Sequence, residues 1–246
     1  MPEFQPLIIR LESTPSTNDY LLQLAKSNPV KPFTVVTAIH QTQGKGQRGR
    51  TWESSAGDHV TLSMFVQPTH TSLDQGFGLS MISALAVYDV LQEFGIEEVR
   101  IKWPNDIYIG HRKCAGILIE RIWTGQRLQF AVVGIGINVR NRPRQLAQAI
   151  ALDEVANVSI TPAEIEARLI HHLYQRISNG HLQPITAIRN EYHLHLYGRF
   201  EERRFGTAQQ SFSGTIQEVD EIGRLVILTD AGQTQKFQPT EITFLT

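Results

Sequence analysis

Apolar positions recur along this chain with two different periods, and the switches between them outline its elements. Leu7-Ile8-Ile9 is a short apolar run of strand type. Ser16-Thr17-Asn18-Asp19 then starts a helix. Ser16 with Asp19 makes a capping-box pattern, Leu21, Leu22, Leu24 and Ala25 form the apolar side, and Asn28-Pro29 ends it. Residues 33–39 and 60–66 read as strands, the second closed by Pro68. Between residues 74 and 94, Leu79, Ile82, Ala86, Val90 and Phe94 step by three and four, which predicts an amphipathic helix stopped by Gly95. Strand-like runs follow at 99–103, 114–123 and 128–139. Pro104-Asn105-Asp106 and Gly110-His111-Arg112 connect the first two, and Gly125-Gln126 reads as the turn between the last two.

The second half is organised differently. Residues 140–158 are polar and irregular, with a short helix expected at 146–149. Thr161-Pro162-Ala163-Glu164 is a strong helix start. Ile165, Leu169, Leu173 and Ile177 step by four behind it, and Asn179-Gly180 closes the helix. Residues 185–196 read as one more helix. From about Gly198 the period changes to short strands (212–219, 225–228, 235–237) separated by glycine turns, the pattern of a small β-barrel. The expectation is a unit of residues 1–198 followed by a β unit of residues 199–246. No internal repeat or low-complexity tract is evident.

Composition narrows the function. The 246 residues are 41% hydrophobic and 19% charged, ordinary for a globular chain, and the formal net charge is −1. That gives no basic footprint for a nucleic-acid partner. A single cysteine, Cys114, excludes an internal disulfide and fits a reducing compartment. No apolar stretch approaches the ~18 residues of a spanning helix, and the first residues lack a signal-peptide pattern. A cytoplasmic protein without membrane attachment is expected.

The densest chemistry lies at Gly44-Lys45-Gly46-Gln47-Arg48-Gly49-Arg50, where three glycines and three cations share seven residues, with Trp52 two places on. Glycines let backbone N–H groups approach an anion, and lysine and arginine add full charge. Gly44, Gly46 and Gly49 spell the dinucleotide fingerprint, and residues 44–51 nearly spell a P-loop with Arg50 in place of lysine. Both motifs need a helix directly afterwards, and residues 52–58 make a poor one. A solvated basic loop remains the third reading. His171, His172, His193 and His195 do not read as a metal site, because neighbouring pairs point to different faces and no cysteine or carboxylate completes a ligand set.

Four further motifs change the balance: Ser16-Thr17-Asn18, Lys102-Trp103-Pro104-Asn105-Asp106, Arg112-Lys113-Cys114-Ala115-Gly116, and Gly134-Ile135-Gly136-Ile137-Asn138. In this order and spacing, with the glycine loop, the chain resembles the biotin protein ligases (biotin–[acetyl-CoA-carboxylase] ligases) over almost its whole length. Lys-Trp-Pro-Asn-Asp is the most specific part. The resemblance implies an α+β fold: a class II aminoacyl-tRNA-synthetase-like mixed sheet flanked by helices, then a small SH3-like barrel. It implies that biotin and Mg-ATP form biotinyl-5′-AMP, and that biotin passes to a lysine of a biotin carboxyl carrier protein.

The same resemblance assigns residues. Ser16, Thr17, Asn18, Gln41, Gly44, Lys45, Gly46, Gln47, Lys113 and Gly116 would contact biotin. Arg48, Arg50, Trp52, Asn105, Lys113 and Asn138 would contact nucleotide, with Trp52 packing on adenine. Asp106 would hold Mg2+ with ATP, and Lys113 and Arg48 would be catalytic. The loop departs from the family's usual Gly-Arg-Gly-Arg-x-Gly-Arg at Lys45 and Gln47, which leaves open whether Lys45, Arg48 or Arg50 holds the adenylate. Its three clustered cations and lack of apolar residues predict a loop that is mobile when empty and closes over the adenylate. Only 15 residues precede Ser16, so the expectation is a form without the N-terminal DNA-binding domain of some members. A lipoate/octanoate–protein ligase and a non-catalytic biotin- or nucleotide-binding module are the alternatives, and a homodimer is left open.

Overall fold

The computed structural model describes residues 5–67, 77–125, 127–143, 147–180 and 183–245. The first sheet holds β1 (Ile8–Thr14), β2 (Val35–Gln41), β3 (His59–Val66), β4 (Val99–Lys102), β5 (Asp106–Ile109), β6 (Arg112–Thr124) and β7 (Arg127–Asn138). Their order across the sheet is β1-β2-β3-β7-β6-β5-β4. β1 and β2 are parallel and are joined through helix α1 (Thr17–Ser27); every other neighbouring pair is antiparallel. This is the mixed sheet of the expected α+β class.

Side chains alternate along a strand, so register decides what each face of the sheet carries. Val60, Leu62 and Met64 of β3, Ile135 and Ile137 of β7, and Ala115 and Ile117 of β6 share one face. That face packs under α2 (Gly78–Glu93), α3 (Pro162–Gly180) and α4 (Ile185–Leu194) in the main core. On the opposite face Phe65, Phe130 and Val132 meet Leu21 and Leu22 of α1 in a second, smaller core. α1 covers only part of that face. Beyond it lie Thr61, Ser63, Gly116, Gly134, Gly136 and Asn138.

Several elements differ from the sequence reading. α2 carries the expected stripe but is not amphipathic: Met81, Ala84, Leu85, Val87 and Leu91 are buried as well. It packs on β4, β5 and β6 and is also covered by the other two helices of its layer, so it is apolar on more than one side. Arg176 of α3 ties the three together with paired bonds of 2.6–2.8 Å to Asp89 of α2 and Glu191 of α4. Asp106 opens a strand, β5, where only connecting turns were expected. The expected helix at 146–149 is a turn followed by a bridge over its described residues, 147–149. The backbone of Lys113 takes up this segment, with Lys113 N donating to Gln148 O (2.7 Å) and Ile150 N to Lys113 O (2.9 Å). Pro68, residues 74–76 of the expected α2 start, Gln126 and Leu146 lie outside the described residues.

The second sheet comprises β8 (Glu202–Gly206), β9 (Ser211–Val219), β10 (Leu225–Thr229), β11 (Thr234–Phe237) and β12 (Thr243–Phe244), ordered β11-β10-β9-β8-β12 and antiparallel throughout. Its buried Phe205, Ile216, Val219 and Leu225 are continuous with the main core. Trp103 Nε1 donates to Gly223 O at 2.9 Å, and His193 Nε2 accepts from Val219 N at 2.9 Å. The other histidines have separate surroundings: His172 contacts Glu93 (3.0 Å), His171 lies edge-on to the His172 ring, and His195 stacks on Tyr88. Among the described residues no helix is long and apolar enough to cross a membrane.

Leu173 of α3 is fully buried against α2. Leu173→Ala should lower the unfolding free energy by about 2–5 kcal/mol, through lost transfer energy and a residual cavity. The check is a urea titration in which the midpoint falls and the slope stays constant.

Candidate functional site

Opposite residues in register share a face, and one such row crosses five strands: Lys102 of β4, Asp106 of β5, Gly116 of β6, Gly136 of β7 and Thr61 of β3. Glycines in the middle of the row leave a trough where the backbone itself is the floor. The space is already committed. A Cβ on Gly136 would lie 2.3 Å from the Trp52 indole, and one on Gly134 would lie 2.2 Å from Asn18 Oδ1. Alternation in Gly134-Ile135-Gly136-Ile137-Asn138 therefore does two jobs. The isoleucines fill the core, and the intervening positions open the other face.

At the α1 end the trough is lined by neutral polar groups. Ser16 caps α1, its Oγ accepting from Asp19 N (3.4 Å). Thr17 donates to Gln41 Oε1 through both its backbone N–H (2.8 Å) and its hydroxyl (3.0 Å). Asn18 Nδ2 donates to Glu120 Oε2 (2.8 Å), and Ser63 Oγ lies 2.8 Å from Thr17 Oγ1 and against Asn18 Oδ1. Ser16, Thr17, Asn18 and Ser63 are all nearly fully buried. Their donors and acceptors are held in place before any ligand arrives, a preorganised surface for a neutral hydrogen-bonding ring.

The other end is charged. Lys113 Nζ sits 2.6 Å from Asp106 Oδ1 and 5.6 Å from the centre of the Trp52 ring. Lys102 Nζ lies 3.0 Å from the Tyr108 hydroxyl and over the rings of Tyr108, Tyr197 and Phe244. Burial lowers the pKa of Lys102, against the pull of Asp106, and burial pushes the Tyr108 phenol up to about 12. Asn105 commits its amide to Ile117 O at 2.9 Å. Asn138 Oδ1 and Trp52 Nε1 are buried without a hydrogen-bond partner among the described residues. Burial pushes the Cys114 thiol up strongly, so this buried cysteine packs and does not react.

The glycine loop closes over the trough as a small hairpin. Trp52 N donates to Gly44 O (2.8 Å), Gly46 N to Arg50 O (2.7 Å), and Lys45 bridges Thr51. Arg48 stands at φ +59° in the turn between them. No helix follows; the chain runs on to β3, so neither the dinucleotide fingerprint nor the P-loop is realised. Lys45 pairs with Asp19 at 2.7 Å, tying the loop to the first turn of α1. Among the described residues, the exposed Arg48 and Arg50 have no carboxylate partner.

Every site residue expected from the sequence except Gly44 lines one cleft of about 580 Å3. Gly44 lies buried in the loop's own turn, where a Cβ would be 2.4 Å from Trp52 O. Trp52 stands on the glycine floor against Gly116 and Gly136, between Asn18 and Lys113, and so divides the cleft in two. The sequence reading missed Ser63, whose signal was a polar residue alternating with apolar ones in a buried strand. It also missed Lys102, Tyr108 and a wall supplied by Pro239, Ile242, Thr243 and Phe244 from the second sheet. No sequence signal points to that wall. Asp106 is a lone carboxylate: among the described residues no group of three His, Cys, Asp or Glu is arranged to hold a metal.

Gly136→Ala should expel the indole from the trough. Acrylamide quenching of tryptophan fluorescence should rise relative to the parent, with Trp52→Phe as the blank; unchanged quenching would mean the floor tolerates a methyl group.

The Biotin/lipoate A/B protein ligase family matches residues 11–138. The chain is 41% identical over 132 residues to the bifunctional ligase/repressor BirA of Escherichia coli, covering 52% of this chain and 39% of that protein. It is 33% identical over 168 residues to a biotin–[acetyl-CoA-carboxylase] ligase of Mycobacterium tuberculosis, covering 67% and 61% respectively. It thus spans less than two thirds of each of these two relatives. The structure resembles biotin protein ligase from Aquifex aeolicus in complex with biotin and ATP, with a TM-score of 0.78, 24% identity, and coverage of 97% of this chain and 98% of that one.

Proposed function

Because the chain belongs to the biotin/lipoate A/B protein ligase family, we propose that it is an ATP-dependent biotin protein ligase, which forms biotinyl-5′-AMP and transfers biotin to a lysine of a biotin carboxyl carrier protein. One observation carries the reading above the others. Trp52 splits a single trough into a neutral hydrogen-bonding half and a charged half, with Lys113 at the junction. A reaction joining the carboxylate of an acid with a neutral bicyclic ring to a nucleotide phosphate needs that arrangement.

The ureido ring takes the neutral half, where the Ser16-Thr17-Asn18 turn, Gln41 and Ser63 offer donors and acceptors. The acid chain runs past Trp52, and its carboxylate meets the α-phosphate of Mg-ATP at Lys113. Two anions repel, so the approach needs a fixed cation. Lys113 supplies it by exchanging its Asp106 contact for the reacting oxygens. Freed of Lys113, Asp106 would hold the magnesium of Mg-ATP, which would offset phosphate charge there. The carboxylate oxygen attacks α-phosphorus and pyrophosphate leaves. The carrier lysine amine then attacks the acyl carbon and AMP leaves. The protein contributes orientation and charge, with no covalent enzyme intermediate.

Arg48 and Arg50, without a carboxylate partner among the described residues, are the loop cations available to the adenylate, while Lys45 is engaged by Asp19. Asn138 Oδ1 and the indole serve the adenosine. The polar surface around Thr17 and Asn18 disfavours a lipoyl or octanoyl chain, which would desolvate those groups and return no hydrogen bond to them. The same reading treats residues 1–198 as the ligase unit and residues 199–246 as a small β unit that completes the cleft wall.

Lys113→Ala should fold normally yet form adenylate at least about a hundredfold more slowly, the loss typical of one electrostatic stabiliser. Pyrophosphate release with biotin and Mg-ATP reads the first step, and the mass of a carrier domain reads the second; near-parental rates would remove Lys113 from the mechanism. The loop provides a separate check. Limited proteolysis at Lys45, Arg48 and Arg50 should be fast in the free protein and suppressed by biotinyl-5′-AMP, with equal rates in both states excluding closure over the adenylate.

A further inference from the structure

Against the nucleotide end of the cleft lies a second depression of about 760 Å3, which shares Glu53 and Pro143 with it. Its walls carry the carboxylates of Glu53, Asp58, Asp153 and Glu154 and one arginine, Arg142. Glu154 is engaged by Arg112 (3.1 Å) and by Ala151 N (2.9 Å). Asp58 and Asp153 are not neutralised in this way. They accept from Asn141 Nδ2 (3.2 Å) and Asn141 N (3.4 Å), both uncharged donors, and among the described residues neither has a cationic partner.

A second, independent feature marks the depression as a binding site. His59 lines it, is only 5% exposed, and among the described residues neither of its ring nitrogens has a hydrogen-bond partner. Burial lowers its pKa, so the ring is neutral near pH 7 and presents a lone pair. His59 stands directly across from Asn138 in the β3–β7 ladder, on the trough face. The row of unpartnered polar groups therefore continues out of the cleft and into the depression.

The chemistry of the walls selects the occupant. No three of these groups are arranged to hold a metal ion. Spread negative charge and a neutral nitrogen acceptor suit an organic cation with several N–H donors, an alkylammonium or a guanidinium. On the ligase reading, a protein must approach this rim to place its lysine at the acyl carbon. We propose that the depression is a socket for a basic side chain of the acceptor protein, seated beside the cleft while the target lysine enters it. The inference rests on the ligase reading and adds a second point of contact for its protein substrate.

The test uses the full chain and two variants, the isosteric pair Asp58→Asn/Asp153→Asn and the charge reversal Asp153→Lys. Three rates are compared: adenylate formation without acceptor, reaction of preformed biotinyl-5′-AMP with hydroxylamine, and its transfer to a biotin carboxyl carrier domain. Both variants should raise KM for the carrier domain by about tenfold or more, while its kcat and the other two rates stay within about twofold. The carrier KM should also depend less on salt in the variants, as expected when a rim charge is lost. An unchanged carrier KM would overturn the socket, and so would equal losses with hydroxylamine or in adenylation, which would assign the depression to the nucleotide. Failure of the parent protein to form adenylate would overturn the ligase reading itself, and the socket with it.

Discussion

Close approach of an indole to bare backbone is the constraint from which the site follows. Gly116 and Gly136 face each other across β6 and β7, and the Trp52 ring rests on both. Any side chain at Gly136 would occupy the ring's position. The sheet can afford glycines there because its other face is filled by Ile117, Ile135 and Ile137, so the core loses nothing where the trough opens. Trp52 in turn hangs from the glycine loop, and the loop is anchored to α1 through Lys45 and Asp19. Four sequence-distant segments thus meet at one aromatic ring.

Electrostatics are arranged around the same point. Lys113 is held between Asp106 and the indole face, two contacts that aim the ammonium at the dividing line of the cleft. Its backbone is gripped by residues 148–150. Both its backbone and its side chain are therefore restricted by segments remote in sequence, which is what a group acting by position requires. Lys102 lies further along the row, among aromatic rings contributed partly by the second sheet. The second sheet is packed continuously with the main core and forms one wall of the cleft as well as an appended unit.

Much of this was legible in the chain itself. Local signals determined the helix starts at Ser16 and Thr161, the strands at 60–66 and 128–139, and the glycine loop, because caps, periods and turn residues act over a few positions. The site residues were legible because the functional motifs sit at strand ends and turns, where backbone or ligand demands particular residues. Alternation of glycine and isoleucine at 134–137 even encoded which face would be open. The full burial of α2 could have been read from the same sequence, since its apolar residues occupy every side; taking one stripe of them as the whole pattern hid it.

Other features depended on long-range packing. β5 is too short to announce itself and exists because β4 and β6 pair on either side of it. Residues 147–149 are not helical because Lys113 offers them backbone partners from a distant strand. Asp19, which the sequence offers as half of a capping box, pairs instead with Lys45, 26 residues away. Tyr108 and the wall at 239–244 join the cleft, and Ser63 comes to support Thr17 and Asn18, only when the two sheets and α1 are assembled. The sequence by itself determined which side chains and glycines are there for the cleft to gather, because residue type and local backbone freedom are local properties. Only the tertiary structure decided that Trp52 divides the cleft and that Lys113 stands at the division, because those positions depend on contacts between segments the chain brings together by folding.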